Sequence, residues 1–284
     1  MNCGQLSALC TAVARSLVRV VGAAAFFDLD KTIIARSSTL AFGKPLYKGG
    51  LINRRTVLRT AFAQLVFAVN GADEATMDRL RDRVTAMCTG WDVAQVREIV
   101  DETLHEIIDP LVYDEAVGLI EQHKMLGRDV VIVSSSGAEM VEPIGEMVGV
   151  SDVIATRMVE AEGRYTGEIE FYAYGPNKAD AARELAAERG YDLAESYAYS
   201  DSITDLPLLE AVGHPVAVNP DRALRRIATE RGWPVVVFTR AVPLRARLRT
   251  SRTQVIAGAA VAGAGAAVAG LTWWATRGTR AKGA

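Results

Sequence analysis

Hydrophobic and polar positions fall in blocks along the chain, and the first strand-like block is the densest. Ala23, Ala24, Ala25, Phe26 and Phe27 run without polar interruption into Asp28, the pattern of a strand buried on both faces that ends at a polar edge. Ahead of it, Leu6, Leu9, Val13, Leu17 and Val20 recur at helical spacing with Arg15 and Arg19 between them. An amphipathic helix is predicted over residues 1–22, and the two arginines break the apolar run that a secretory signal would need. Between Ile33 and Asp109 no buried strand is predicted. Residues 52–69, 74–88 and 93–108 each carry helical periodicity, broken at Asn70-Gly71 and Thr89-Gly90. Residues 37–109 therefore read as a helical insertion, closed by Asp109-Pro110.

Beyond the insertion, strand and helix patterns alternate. A helix over 113–126, stopped by Gly127, leads to a second buried strand over 130–133, a helix over 139–147 and a strand over 153–157. Residues 157–171 read as a hairpin, with Glu162-Gly163 and Thr166-Gly167 as turn chemistry. Helices over 177–189, 206–212 and 222–231 then alternate with strands over 196–200, 216–218 and 235–238. Such alternation predicts an α/β fold built on a doubly wound parallel sheet, made by residues 23–36 and 110–240.

Composition changes this picture only at the ends. Half the residues are hydrophobic and 23% are charged, with a net charge of −2 and a pI of about 6.0. A basic footprint for nucleic acid is thus lacking. Cys3, Cys10 and Cys88 have no metal-ligand spacing and read as free thiols of a reducing compartment. After a basic linker over 241–254, residues 255–274 carry no charge, a length able to cross a bilayer as a helix, with Trp273-Trp274 at an interfacial position. An Ala-rich helix of a soluble protein is the other reading. Arg240, Arg245, Arg247, Arg249 and Arg252 before the run outnumber Arg277, Arg280 and Lys282 after it, which puts the folded part on the cytoplasmic side of a membrane anchor.

Candidate chemistry sits where the strands end. Asp28 and Asp30 follow the first strand, with Thr32 two residues on; in open α/β sheets the carboxyl ends of strands are where ligands bind. Ser134 ends the second strand and precedes Ser135, Ser136 and Gly137, a turn able either to meet an anion or merely to cap the next helix. Lys178 opens a helix, where the dipole disfavours a cation unless it faces an anion. Asp201 and Asp205 follow the strand at 196–200 and would suit a divalent cation, although Asp205 could equally be a helix N-cap.

In this order, D-x-D-x-T, strand-Ser, Lys and D-x-x-x-D resemble the four motifs of the haloacid dehalogenase (HAD) superfamily of aspartate-nucleophile phosphohydrolases. The likeness runs over residues 23–240, and FFDLDKT, VIVSSSG and AYSDSITDLPLLE are similar to the strings of actinobacterial hydrolases of its subfamily IB, the phosphoserine-phosphatase-like branch. The resemblance implies a helical cap at 37–109 and a Mg²⁺-dependent phosphomonoester hydrolase of a small phosphorylated substrate. It further implies Asp28 as nucleophile and Asp30 as acid and base. Mg²⁺ would be held by Asp28, Asp30 and Asp201, phosphate by Ser134 and Lys178, with Thr32 and Asp205 in support. In phosphoserine phosphatases a Glu lies nine positions after the nucleophile; here that position is Ser37, which weakens a phosphoserine assignment. Arg36, Arg54, Arg55 and Trp91 are possible cap contributors. A phosphotransferase of the same family, and a non-catalytic, membrane-associated regulatory protein retaining the fold, remain the alternatives.

Overall fold

The computed structural model describes residues 22–52 and 85–241. The helix expected over 1–22, most of the two helices expected over 52–69 and 74–88, Arg54 and Arg55, the linker after Ala241 and the apolar run at 255–274 lie outside the described residues. No helix among the described residues is long and apolar enough to cross a membrane.

Strand β1 (Ala24–Phe27) is fully buried along its length, as its unbroken apolar run demands. It lies at the centre of a seven-stranded sheet. Its neighbours are β2 (Asp129–Gly137) and β5 (Tyr197–Ser200), both parallel to it, and the register sets Phe27 beside Ile132 and Tyr199. Outward from β2 come β3 (Asp152–Ala161) and the antiparallel edge strand β4 (Arg164–Phe171); outward from β5 come β6 (His214–Val218) and β7 (Val235–Val236). The chain thus winds away from β1 in both directions, and its strand ends open a crevice there.

Alternation along β1 divides the core. Ala24 and Phe26 pack with Val131, Ala198 and Ala217 against α5 (Pro176–Arg189), α6 (Leu206–Glu210) and α7 (Arg222–Arg231), chiefly through Ala179, Ala182, Leu208, Leu209, Leu224 and Ala228. On the other face, the Phe27 ring meets His123 of α3 (Asp114–Met125). Helices therefore cover both faces. Gly190 and Gly232 end α5 and α7 in left-handed conformation.

Several boundaries differ from the sequence reading, each for a local reason. Helix α1 (Ser38–Lys48) is formed although it contains Gly43 and Pro45, residues that erase a helical signal; Ser38, Phe42, Pro45 and Leu46 bury one side of it. The hairpin is present, but Glu162-Gly163 alone turns it, both residues at positive φ. Thr166-Gly167 instead lies inside β4 where the register shifts, and Gly167, at φ +93°, faces Thr89 so closely that a side chain would collide. Helix α6 stops at Glu210 and β7 at Val236, both shorter than their apolar runs, while β6 begins earlier, at His214. Between α1 and β2 lie a helical turn at 85–88, α2 (Val93–Ile107) and a 3₁₀ turn at Asp109–Leu111; α4 (Ala138–Met147) follows β2. Trp91 packs with Val93, Val96, Tyr165, Cys88 and Met158, so it serves a small apolar cluster. Arg36 is exposed.

Candidate active site

Asp28 is the first residue after β1, tied in place by its N–H donating to the Tyr199 carbonyl at 2.9 Å. Lys178, in the first turn of α5, sends its ammonium across the crevice to Asp28 Oδ1 at 2.7 Å and to Asp205 Oδ2 at 2.9 Å. All three side chains are less than one-tenth exposed. A lysine at the positive end of a helix is tolerated because two carboxylates receive it. Asp205 Oδ2 also accepts from Ser200 Oγ at 2.8 Å and makes no cap bond to the helix that follows, so its side chain belongs to the crevice rather than to α6.

The electrostatics of this cluster are those of carboxylates short of positive charge. Burial, assisted by Asp205 and Asp201, pushes the Asp28 carboxyl well above its usual range despite Lys178. Burial opposes the charge on Lys178 in turn, but Asp205 and Asp28 outweigh it and hold the ammonium protonated. Asp201, buried at the end of β5, is pushed up to about 6 by burial, against the pull of Lys31 and with Asp205 and Asp221 adding repulsion. Lys31 Nζ stands 3.3 Å from Asp201 Oδ2.

Asp30 occupies a second cluster. Its Oδ1 accepts from the Ser38 N–H at the start of α1 at 2.8 Å, and its Oδ2 lies 3.4 Å from Ser136 Oγ. Ser38 Oγ and Ser136 Oγ are hydrogen-bonded at 2.8 Å, with Thr39 Oγ1 3.3 Å from Ser136. Ser136 N donates to Ser134 Oγ at 3.2 Å. The Ser134–Ser136 stretch therefore does not cap α4, whose N-cap Gly137 offers no side chain; it is a bulge of β2 wedged between Asp30 and α1. Thr32 is fully buried just below, and its hydroxyl meets no partner among the described residues.

The sequence-predicted residues thus fall at one crevice in two groups: Lys178, Asp28 and Asp205 in direct contact, and Asp30 with Ser134 through Ser136. Asp201 joins them through its electrostatic coupling to Asp28. Residues the sequence reading missed are Lys31, Ser38, Ser200 and Asp221, while Ser136 was read only as part of the turn after Ser134. Asp221 accepts from Ile203 N at 2.9 Å and Leu224 N at 2.7 Å while its own N–H donates to the Asp201 carbonyl at 2.8 Å, clamping the loop after β5. An N-cap signal at Asp221 was available before α7; the cross-chain serine pair has no local signature.

Residues 25–210 match the haloacid dehalogenase-like hydrolase family. The chain belongs to that family. The HAD match spans β1 through α6 and so contains every side chain of the two clusters. Among similar proteins, the "Inhibition of morphological differentiation protein" of Streptomyces azureus is 62% identical, over 89% of this chain and 93% of its own. A "Probable phosphatase" of Mycobacterium tuberculosis is 58% identical, over 89% and 88%. A "Phosphoserine phosphatase" of the same species is 33% identical, over 88% and 80%. This HAD chain is thereby an enzyme-family member of the phosphoserine-phosphatase-like branch.

Among the described residues no cluster of three or more His, Cys, Asp or Glu side chains forms an all-protein metal cage. Two buried carboxylates, Asp28 and Asp201, suit Mg²⁺, which keeps several waters and takes one or two carboxylates beside substrate phosphate. The upward displacement of Asp28 and Asp201 marks the same deficit of positive charge. The residues present fit the ion.

Proposed function

We propose that this HAD chain is a Mg²⁺-dependent phosphomonoesterase working through an aspartyl phosphate on Asp28. The observation that carries the reading is the buried Lys178 ammonium bound to Asp28 and Asp205 at the end of β1, an anion-accepting charge set beside a carboxylate nucleophile. Asp28 attacks phosphorus, and the bond from phosphorus to the ester oxygen breaks. Asp30 gives its proton to the departing alkoxide, then as carboxylate takes a proton from the water that attacks the phosphoaspartate, releasing phosphate and restoring Asp28. Ser134 and Lys178 hold phosphoryl oxygens, while Asp205 and Ser200 hold Lys178. Asp28, the Asp30 carbonyl and Asp201 would hold the Mg²⁺, which when bound offsets the negative charge of nucleophile and phosphate. Thr32 supports the loop.

In this reading residues 23–36 and 110–240 form the catalytic core and 37–109 a cap. Ser37, at the N-cap of α1 and without a side-chain cap bond, carries no carboxylate to meet the amino group of an amino acid, which supports a small organic phosphate other than phosphoserine. The charge-free run at 255–274 would anchor the core to the cytoplasmic face of a membrane, a reading supported by the arginine excess before it. Fractionation of the full chain against one ending at Arg249 tests that part alone.

The central test is acid quench of the purified protein turning over a phosphomonoester with Mg²⁺. Acid-stable, hydroxylamine-sensitive phosphate should accumulate on the wild type and not on Asp28→Asn, whose turnover should fall to background with its thermal transition retained. Turnover by Asp28→Asn, or by wild type after exhaustive chelation, would overturn the mechanism.

A further inference from the structure

Lys31 holds a left-handed backbone conformation, φ +62°, in the turn between Asp30 and Thr32. Glycine adopts that conformation freely and a long side chain does not, so the lysine at this place calls for a reason in its side chain. That side chain is 65% exposed, yet its ammonium ends 3.3 Å from the Asp201 carboxylate, which is 8% exposed. Lys178 is unable to serve Asp201 equally, because its ammonium is already engaged by Asp28 and Asp205. Three buried carboxylates, Asp28, Asp201 and Asp205, thus face one buried cation, and Lys31 supplies the second positive charge from the solvent side.

We infer that Lys31 is a built-in competitor for the divalent cation: its ammonium neutralises Asp201 in the metal-free chain, must give up that carboxylate when the ion binds, and so sets the ion's affinity. This rests on the cation site proposed above. The two charges seek the same carboxylate and repel each other at short range, so the cation binds against Lys31 rather than with its help. High exposure of the lysine stem makes the exchange cheap, since the ammonium regains water as it leaves. A cationic stand-in of this kind offsets the mutual repulsion of the carboxylates while the ion is away, and moves half-occupancy of the site to a higher cation concentration.

The test is calorimetric titration of the full-length chain with MgCl₂ alone, without substrate. Lys31→Gln should bind Mg²⁺ about 3- to 10-fold more tightly than wild type, the size set by a partly exposed charge at contact distance. Lys31→Arg, which keeps the charge, should retain the wild-type affinity. Unchanged or weaker binding in Lys31→Gln, with wild type binding normally, would overturn the competitor role and leave the cation site standing. Absence of Mg²⁺ binding in wild type, or its persistence unchanged in Asp201→Asn, would overturn the cation site and this inference with it. Because the readout is affinity in the absence of turnover, a general loss of structure or of catalysis does not imitate the expected tightening.

Discussion

The two halves of the crevice are held together by different physics. Around Lys178, two buried carboxyl groups and Ser200 join the ammonium in short hydrogen bonds between the end of β1, α5 and the loop after β5, all parts of the sheet framework. Around Asp30, one backbone N–H and a set of neutral hydroxyls make the connection, and two of the donors, Ser38 and Thr39, belong to α1, in the segment inserted between β1 and β2. The first half is cross-linked by three short bonds within the framework. The second depends on where α1 sits. Under the proposed mechanism this division is apt: a nucleophile needs fixed placement, whereas an acid that becomes a base must tolerate both protonation states, and neutral hydroxyls able to donate or accept permit this.

Breaking the first half should have the largest effect. Lys178→Met leaves Asp28 and Asp205 buried without their cation, and removal of one partner of a buried pair costs about 3–5 kcal/mol. Urea unfolding with chelator present should show that loss, and turnover should vanish. A variant of unchanged stability would mean that the ion pair is not formed in solution. Breaking the second half should spare stability and cut catalysis. Asp30→Asn should slow turnover about 10²- to 10⁴-fold, the usual range for lost acid–base transfer. Ser136→Ala removes only a neutral partner, so its turnover should fall by about 2- to 12-fold, the equivalent of one hydrogen bond of about 0.5–1.5 kcal/mol. In a double-mutant cycle, Ser38→Ala should add little once Ser136 is gone; full additivity would dissolve the proposed coupling of α1 to Asp30.

The smallest effect comes from behind the sheet, where His123 lies buried with Nε2 2.8 Å from the Tyr199 hydroxyl. Burial, with Arg128 nearby, lowers its pKa from 6.5 to about 4. The unfolded chain therefore takes up a proton that the folded chain refuses, so the stability due to neutral His123 is complete above pH 6.5 and lost as pH falls toward 4. Asp201, raised to about 6, acts in the opposite sense, favouring the folded state as pH falls below 6. The difference between the stability profiles of wild type and His123→Gln isolates the histidine. It should slope between pH 6.5 and 4, and a flat difference would show that the imidazole is not buried neutral.

Much of the site was legible because its residues follow local patterns. A strand buried on both faces must be continuously apolar, so the first polar residue after it marks its end; Asp28 and Ser134 are found that way, while Asp201 follows a strand that already closes on Ser200. The strand-helix alternation beyond residue 110 likewise determined a doubly wound sheet, and the helices expected to end at 189 and 231 do end there, each followed by a left-handed glycine. Helix α1 escaped because Gly43 and Pro45 lower its intrinsic propensity, while burial of Phe42 and Leu46 restores it only in the folded chain.

What tertiary structure alone decided concerns pairings between distant residues. Whether Asp205 caps its own helix or serves a lysine 27 residues earlier depended on where α5 docks, and the docked Lys178 takes it. Whether Ser134 to Ser136 cap α4 depended on the approach of α1, which brings Ser38 to Ser136 across 98 residues of sequence. Lys31 finds its partner Asp201 only because the loop after β5 lies beside it, 170 residues away in sequence. Hydrophobic periodicity reports which face of an element is buried; it carries no information about which polar group on another element will be met there, because that is set by packing of the whole core.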